Sequence, residues 1–163
     1  MNTGQMILTI GAMIFLSAMV LRVNTVTLVN TETQYNSKFD ILAVSIGNTM
    51  LEEISKKAFD ENTISNTLTS VWQLTKNKNL GADSEPYSQF DDIDDYNGYG
   101  YSDSTMPSAI FDVTCSVGYV NATNPDVIVN SIKWTKKITI KISSRSMRDT
   151  LTVSSLYSYW VFR

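Results

Sequence analysis

The 163-residue sequence contains no histidine, a single cysteine and only three prolines. Without histidine the chain lacks the commonest general base and the commonest protein ligand of metal ions. The single cysteine, Cys115, excludes an internal disulfide and any paired-cysteine redox or zinc motif. The net charge is only slightly negative, which argues against general nucleic-acid binding. These absences remove most common classes of enzyme and metalloprotein.

Catalytic motifs are also missing from the sequence. It has no glycine-rich phosphate loop and no lysine beside a plausible nucleophile motif. The paired carboxylates Asp91/Asp92 and Asp94/Asp95 could do acid–base chemistry in principle. They lie on a polar turn, however, where nothing nearby would keep one acid protonated while the other is ionised. We therefore do not expect an enzyme.

The N-terminal segment is the most unusual part of the sequence. No charged residue precedes Arg22, and only Thr9, Gly11 and Ser17 interrupt the apolar run from Met6 to Leu21. With the five uncharged residues before it, this run reaches the roughly 20 residues needed to cross a bilayer. It has neither the basic start nor the small-residue cleavage site of a secretory signal. A segment that is apolar on all sides must be buried against something outside its own domain.

A helical pattern continues from this segment to about Ala58 without a proline, which predicts a helix roughly 85 Å long. Apolar residues spaced by three and four form one stripe along its second half: Tyr35, Phe39, Leu42, Ile46, Met50, Ile54 and Ala58. Between the halves, polar and β-branched residues are mediocre helix formers, and we expect the helix to loosen there first. These residues are Asn24, Thr25, Val26 and Thr27.

Strand patterns occupy the C-terminal part of the chain. Apolar and polar residues alternate from Phe111 to Tyr119 and again from Trp134 to Ile142, and a third strand is predicted from Leu151 to Tyr159. Asn121–Pro125 is predicted to be a loop. The alternation places Cys115 on an inward face, where an inert buried thiol is expected. Strands that are neighbours in sequence favour an antiparallel meander, covered on its apolar face by the helix stripe.

The predicted fold class is therefore α+β, with one long N-terminal helix packed on a small antiparallel sheet. Residues 1–29 are predicted to form a protruding hydrophobic helix, and residues 30–163 a globular head. Within the head we expect an amphipathic helix over 30–59, connecting and acidic loops over 60–108, and the sheet over 109–163.

Acidic and basic residues are segregated along the head. No lysine or arginine occurs between residues 79 and 132, whereas lysines cluster around the second strand. We predict that the acidic region 83–103 of one subunit faces these lysines of another. The lysines are Lys133, Lys136, Lys137 and Lys141.

The acidic loop offers oxygen atoms that could bind calcium, which takes six to eight such ligands. The candidate ligands are Asp91, Asp92, Asp94, Asp95 and Asn97. Their spacing is not that of an EF-hand loop. The alternative is a turn whose carboxylates cap backbone amides and face lysines within or between subunits.

Four local stretches, together with the two-part helix, resemble a known family. They are FDDIDDYNGY at 90–99, SVGYVNATNPD at 116–126, and WTKKITIKIS and DTLTVSSLYSYW within 134–160. The chain resembles the type IV pilins and the pseudopilins of type II secretion. Some pseudopilins bind calcium near a comparable loop, and otherwise the resemblance implies no cofactor.

The resemblance implies a structural subunit of a helical homo-oligomeric filament, assembled by pilus or secretion machinery in the membrane. The subunit would lie in the inner or cytoplasmic membrane first and in an extracellular filament afterwards. The helix residues expected to mediate assembly are Gln5, Met6, Ile7, Leu8, Ile10, Met13, Ile14, Phe15, Leu16, Met19, Val20 and Leu21.

Two departures from the family leave alternatives open. Most members carry glutamate at the fifth mature position, which is Gln5 here if Met1 is the mature start, and no basic leader ending in glycine precedes the helix. Gln5 somewhat favours a minor pilin or pseudopilin of a secretion apparatus. The alternative from another class is a monomeric, single-span membrane-anchored protein that binds a ligand through the acidic, tyrosine-rich loop.

Overall fold

A computed structural model of the chain describes residues 2 to 161. The predicted ranges 1–29 and 30–163 therefore begin and end at residues outside the described part. The chain divides into two compact units, Met1–Lys38 and Phe39–Arg163. The first unit is helical throughout its described residues from Thr3 onward, and nearly all of its side chains are exposed.

One helix, α1, runs over Thr3–Ile54 and is 52 residues long. It ends four residues before the predicted end at Ala58. Ala58 instead forms a parallel bridge with the acidic loop, because its N–H donates to Asp91 O and its carbonyl accepts from Ile93 N–H. This pairing requires an extended backbone, which ends the helix before the apolar pattern ends.

Five antiparallel strands form the sheet: β1 (Gly100–Asp103), β2 (Phe111–Asn121), β3 (Asn124–Ile128), β4 (Thr135–Ser143) and β5 (Leu151–Ser158). Their order is β1-β2-β4-β5, and β3 pairs with the end of β2. The three predicted strands are confirmed as β2, β4 and β5. Strands β1 and β3 were missed, and the predicted loop Asn121–Pro125 contains the turn and the start of β3.

The second part of α1 packs on this sheet, which confirms the α+β fold class. Its buried face consists of Phe39, Ala43, Ile46, Gly47, Met50 and Ile54. Gly47 allows the close approach, because a Cβ there would lie 2.9 Å from Val153 Cγ2 and 3.1 Å from Ile142 Cδ1. Tyr35 was predicted to belong to the stripe, but it is 59% exposed and lies in the first unit.

The connection between α1 and β1 has no regular strand and is held by buried side chains. Phe59, Leu68, Leu74, Leu80, Phe90 and Ile93 all join the core cluster. Tyr159, just after β5, accepts a hydrogen bond from Leu68 N–H through its hydroxyl at 2.9 Å. A short 3-10 helix, Asp94–Tyr96, lies in the acidic loop and is itself buried. The connection is therefore part of the core.

Candidate functional site

The apolar segment of α1 is exposed along its whole length within the chain. The exposed fractions of its large apolar side chains range from 48% for Met6 to 75% for Leu8. Gln5 is exposed as well. By length and composition α1 could cross a membrane, and none of its most apolar 18-residue window is buried. Apolar patches of this extent on proteins mark contacts with other proteins or with lipid.

The predicted loosening at Asn24, Thr25, Val26 and Thr27 is not seen, because all four residues are helical. The hydroxyls of Thr25 and Thr27 donate to Leu21 O and Val23 O, each at 2.9 Å. These bonds within the helix satisfy the hydroxyl groups without opening the backbone. The polar patch therefore continues the helix.

The five predicted calcium ligands do not form one site. Asp95 Oδ2 accepts from the N–H groups of Asp91 and Asp92, while Asp92 Oδ1 accepts from Asp95 N–H. Asn97 donates to Leu80 O and accepts from Val117 N–H, and Asp94 pairs with a lysine. Successive residues of the tight turn point in different directions, so most of these oxygens already have partners. The alternative prediction, carboxylates that cap backbone amides, describes Asp92 and Asp95 correctly.

One group of three carboxylates, two of them exposed and one buried, comes together at the loop. Ligand atoms of Glu85, Asp91 and Asp95 all lie within 4.8 Å of one another. Glu85 was not among the predicted ligands, whereas Asp92, Asp94 and Asn97 are not part of this group. Exposed acids commonly cluster in this way without an ion, so the group alone assigns no metal.

The predicted basic face is divided by the pleat of β4. Lys141 is exposed and Lys133 is half-buried. Lys137 pairs with the exposed Asp126 at 3.2 Å. Lys136, in contrast, is completely buried, so its prediction as an inter-subunit residue is wrong. Its position in the strand has the same parity as Ile138 and Ile140, which directs its side chain into the core.

The ammonium group of Lys136 is the centre of a buried charge cluster. Its Nζ lies 2.9 Å from Asp60 Oδ2 and 2.6 Å from Asp94 Oδ1. It also donates to Phe59 O at 2.8 Å. Above it, the Phe59 ring centroid is 4.5 Å away and the Tyr119 centroid 5.2 Å away. The cluster joins β4 to the segment that follows α1 and to the acidic loop.

Asp60 is held in its ionised form by this arrangement. Its carboxylate accepts from Thr75 N–H and from the Thr75 hydroxyl, and from Asn62 N–H. Burial alone would raise the pKa of Asp60, but the charge of Lys136 and these hydrogen bonds outweigh burial and leave the pKa below its ordinary value. Sequence reasoning missed Asp60, because its backbone position at the end of a helical pattern gives no sign of burial.

Asp94 and Asp92 behave in the opposite way. Burial raises the pKa of Asp94 well above its ordinary value, and the charge of Lys136 does not compensate. Burial also raises the pKa of Asp92 to about 7, against a hydrogen bond from Asp95 N–H. Burial in this loop therefore raises the pKa of Asp92 and Asp94, which was not expected from the sequence.

The high pKa of Asp92 predicts a pH-dependent stability. A carboxyl whose pKa is raised by folding binds more protons in the folded state than in the unfolded state. Its contribution is therefore fully present below pH 4 and is lost as the pH rises through about 7. Asp92→Asn keeps the acceptor oxygen and removes the buried charge. We expect this variant to melt at least about 5 °C above the wild type at pH 8 and to match it near pH 4.

The measurement is thermal unfolding of the full chain in detergent, followed by near-ultraviolet circular dichroism at both pH values. Asp91→Asn is the matched control, because Asp91 is the exposed neighbour and its substitution should change little at either pH. If Asp92→Asn were destabilised equally at pH 4 and pH 8, the ionised carboxylate of Asp92 would not lower the stability of the folded state.

Cys115 lies on the inward face of β2, as predicted, and is 3% exposed. Burial raises the pKa of its thiol to about 12, so the thiolate is scarce at neutral pH.

No family model matches the chain, and no curated protein and no solved structure matches it either. A long apolar N-terminal helix and an antiparallel sheet on which its second part packs are consistent with a pilin-like fold.

Proposed function

We propose that the chain is a structural subunit of a type IV pilus-like extracellular filament that lies in the inner or cytoplasmic membrane before assembly. The observation that carries the proposal is the exposed apolar surface of α1 from Met6 to Leu21, none of which is buried in the chain's own core. At about 25 cal/mol per Å² of apolar surface removed from water, covering this surface is strongly favourable.

The polar groups in this segment are compatible with apolar surroundings. The Thr9 hydroxyl donates to Met6 O at 2.9 Å, and the Ser17 hydroxyl donates to Met13 O at 2.8 Å. Neither hydroxyl would lose a hydrogen bond on leaving water, so its desolvation cost is small. The same segment can therefore lie in lipid first and among identical helices afterwards.

Packing of identical helices against one another supports an open polymer. A contact between two different faces of the same subunit repeats without closing and generates a helical filament. The heads would then cover the outside of the helix core. Release from the membrane into such a polymer requires assembly machinery in the membrane, which is the second expected partner of this chain.

The anchored binding protein is the competing proposal, and the acidic loop argues against it. In that proposal the loop recognises a ligand, yet Asp92, Ile93, Asp94, Asp95 and Tyr96 are all buried. The Tyr96 hydroxyl donates to Glu53 at 2.8 Å inside the head. These buried side chains are engaged within the head and are not presented to a ligand. The role of a minor pilin or pseudopilin remains within the same proposal.

The test is negative-stain microscopy of material sheared from producing cells, with mass spectrometry of the purified fibres. Thin detergent-resistant filaments made mainly of this chain support a major subunit. The chain as a trace component of fibres made of another protein supports the minor-subunit form. Absence from all fibres, with detergent-soluble monomers in the membrane fraction, supports the anchored protein and overturns the filament.

We retain the inter-subunit charge contact for the accessible lysines. Lys137 and Lys141 would face the exposed acids of another subunit's region 83–103. Reversing both to glutamate creates like-charge contacts, and we expect fibre yield to fall roughly tenfold at low salt and to recover partly at high salt, because salt screens exposed charges. The Lys137–Asp126 pair is exposed and weak, so the head should still fold.

Fibre length and yield, measured by microscopy across a salt series, check this prediction. Lys76→Glu with Lys78→Glu is the control, because both lysines are exposed and the change in net charge is the same. Equal losses in both double variants would point to net charge alone, and unchanged fibres in the first would rule out the contact.

A further inference from the structure

The contact between Lys136 and Asp94 places an amine directly against a carboxyl group in the core of the head. The two side chains come from distant parts of the chain, and Lys136 Nζ lies 2.6 Å from Asp94 Oδ1. Their exposed fractions are 0% and 3%. Asp94 Oδ2 meets no hydrogen-bond donor among residues 2–161. A buried acid with an unpartnered oxygen, pressed against an amine, is an unusually costly arrangement if it remains non-covalent.

The surroundings of the pair favour the neutral forms that a reaction between the two groups needs. The rings of Phe59 and Tyr119 lie over the amine and exclude water from it. Burial raises the pKa of Asp94 well above its ordinary value; the charge of Lys136 opposes this and the charges of Asp92 and Asp60 add to it, so the net effect favours the protonated carboxyl. Despite its burial, Asp60, the second acid at 2.9 Å from Nζ, has a pKa below its ordinary value because of the charge of Lys136 and the hydrogen bonds from Thr75 and Asn62.

We propose that Lys136 and Asp94 are joined by an intramolecular isopeptide bond, which forms once folding has brought the two side chains together. This covalent link would tie β4 to the acidic loop. It rests on the head alone and holds whether or not the chain forms filaments.

The reaction is a condensation and needs no oxidant or reductant. Lys136 gives one proton from Nζ to the Asp60 carboxylate, which its Nζ already contacts. The neutral amine attacks Cγ of Asp94, so that a C–N bond forms and the Cγ–OH bond breaks. The attacking nitrogen then loses a second proton to the departing hydroxyl, which leaves as water. The proton that Asp60 took up first is released to solvent, so Asp60 is ionised again and the products are one amide, one water and one proton.

Formation of the amide lowers the free-energy cost of burying Lys136 and Asp94. An amide carries no charge, so the desolvation cost of the ammonium group disappears and one of the two Asp94 oxygens leaves as water. Asp60 keeps its hydrogen bonds from Thr75 and Asn62. Exclusion of water by the two rings slows the reverse hydrolysis. The link also closes a loop between residues 94 and 136, which restricts the unfolded chain in the way that a disulfide does. Cys115 is the only cysteine, so no disulfide can provide this restriction within the chain.

The test is the intact mass of the full chain, purified in detergent and then denatured. We expect the mass of one water less than the sequence requires. Tandem mass spectrometry of the digest should yield a branched peptide that contains both Lys136 and Asp94. A full-length mass with both residues recovered unmodified would overturn the proposal. So would a water loss that fragmentation places elsewhere, such as a cyclised aspartate.

Substitutions make the assignment specific. Lys136→Arg keeps the positive charge but should not form the link, so its mass should equal the mass that its sequence requires. Asp94→Asn should form the same amide by losing ammonia, and so end at the mass of the linked wild type. Asp60→Asn removes the proton acceptor and should leave most of the chain unlinked. Lys137→Arg, on the exposed face of the same strand, should remain linked. An unlinked Asp94→Asn in a folded chain, or a linked Asp60→Asn, would contradict the role given to each residue.

Discussion

Fibres are expected to disappear when Phe15 is replaced by lysine. Phe15 lies in the middle of the apolar segment of α1 and is 73% exposed within the chain, so a partner must cover it. A lysine at the centre of an apolar helix costs about 3 kcal/mol even where the side chain can reach water. That cost corresponds to a loss of more than roughly 100-fold in the affinity of each added subunit. A polymer that needs this contact at every subunit would not form.

Microscopy and quantification of sheared fibres measure this effect. Phe15→Leu keeps an apolar side chain and should retain fibres. Ile64→Lys places the same charge on the head, at an apolar residue that is 43% exposed, and should also retain them. The Phe15→Lys chain must still be found in the membrane fraction, which shows that synthesis and insertion are intact. Normal fibres from that chain would mean that α1 does not form the filament core.

The elements that the sequence predicted well have regular burial patterns. In β2 and β4 apolar and polar residues alternate because one face lies on the core. The stripe in α1 repeats every three and four residues for the same reason. Strand β1 has three exposed residues out of four, so no alternation exists to detect. Strand β3 contains Pro125 and pairs only with the end of β2, so its position depends on the turn rather than on burial.

The end of α1 shows how a tertiary contact overrides a local pattern. The apolar spacing continues to Ala58, and the sequence has no proline or glycine there to stop the helix. The backbone of Ala58 nevertheless pairs with residues 91–93 of the acidic loop. A contact between residues more than thirty positions apart leaves no local trace, so the error could not be avoided from the pattern of the helix alone.

The buried cluster was only partly visible in the sequence. Lys136 has the inward parity of its strand, and a buried lysine requires an acidic partner. That signal was available, but the density of lysines around it favoured a basic outer face. Which acids would pair with it could not be read, because Asp60 and Asp94 come from two irregular segments. The acids of the loop were recognised as a group, but the turn directs them to different partners.

Lys136 also gives the second large expected effect, on the stability of the head. Lys136→Met fits a similar volume but removes the nitrogen beside Asp60, and relative to the unlinked pair it leaves Asp60 ionised in the core with no positive charge beside it. Removing one partner of a buried ion pair typically costs about 3–5 kcal/mol, because the other charge stays buried and uncompensated. For a chain of this length we expect the melting temperature to fall by roughly 10 °C or more. The melting temperature is measured by near-ultraviolet circular dichroism of the full chain in detergent.

Lys137→Met is the control on the next position of the same strand. Its partner Asp126 is exposed, so the pair should contribute less than about 1 kcal/mol and the melting temperature should hardly change. The double variant Lys136→Met with Asp60→Asn removes the uncompensated charge and should recover part of the loss. If Lys136→Met were as stable as Lys137→Met, the buried cluster would not hold together the strand, the segment after α1 and the acidic loop. A loss that Asp60→Asn does not relieve would instead trace the effect to packing or to the covalent link.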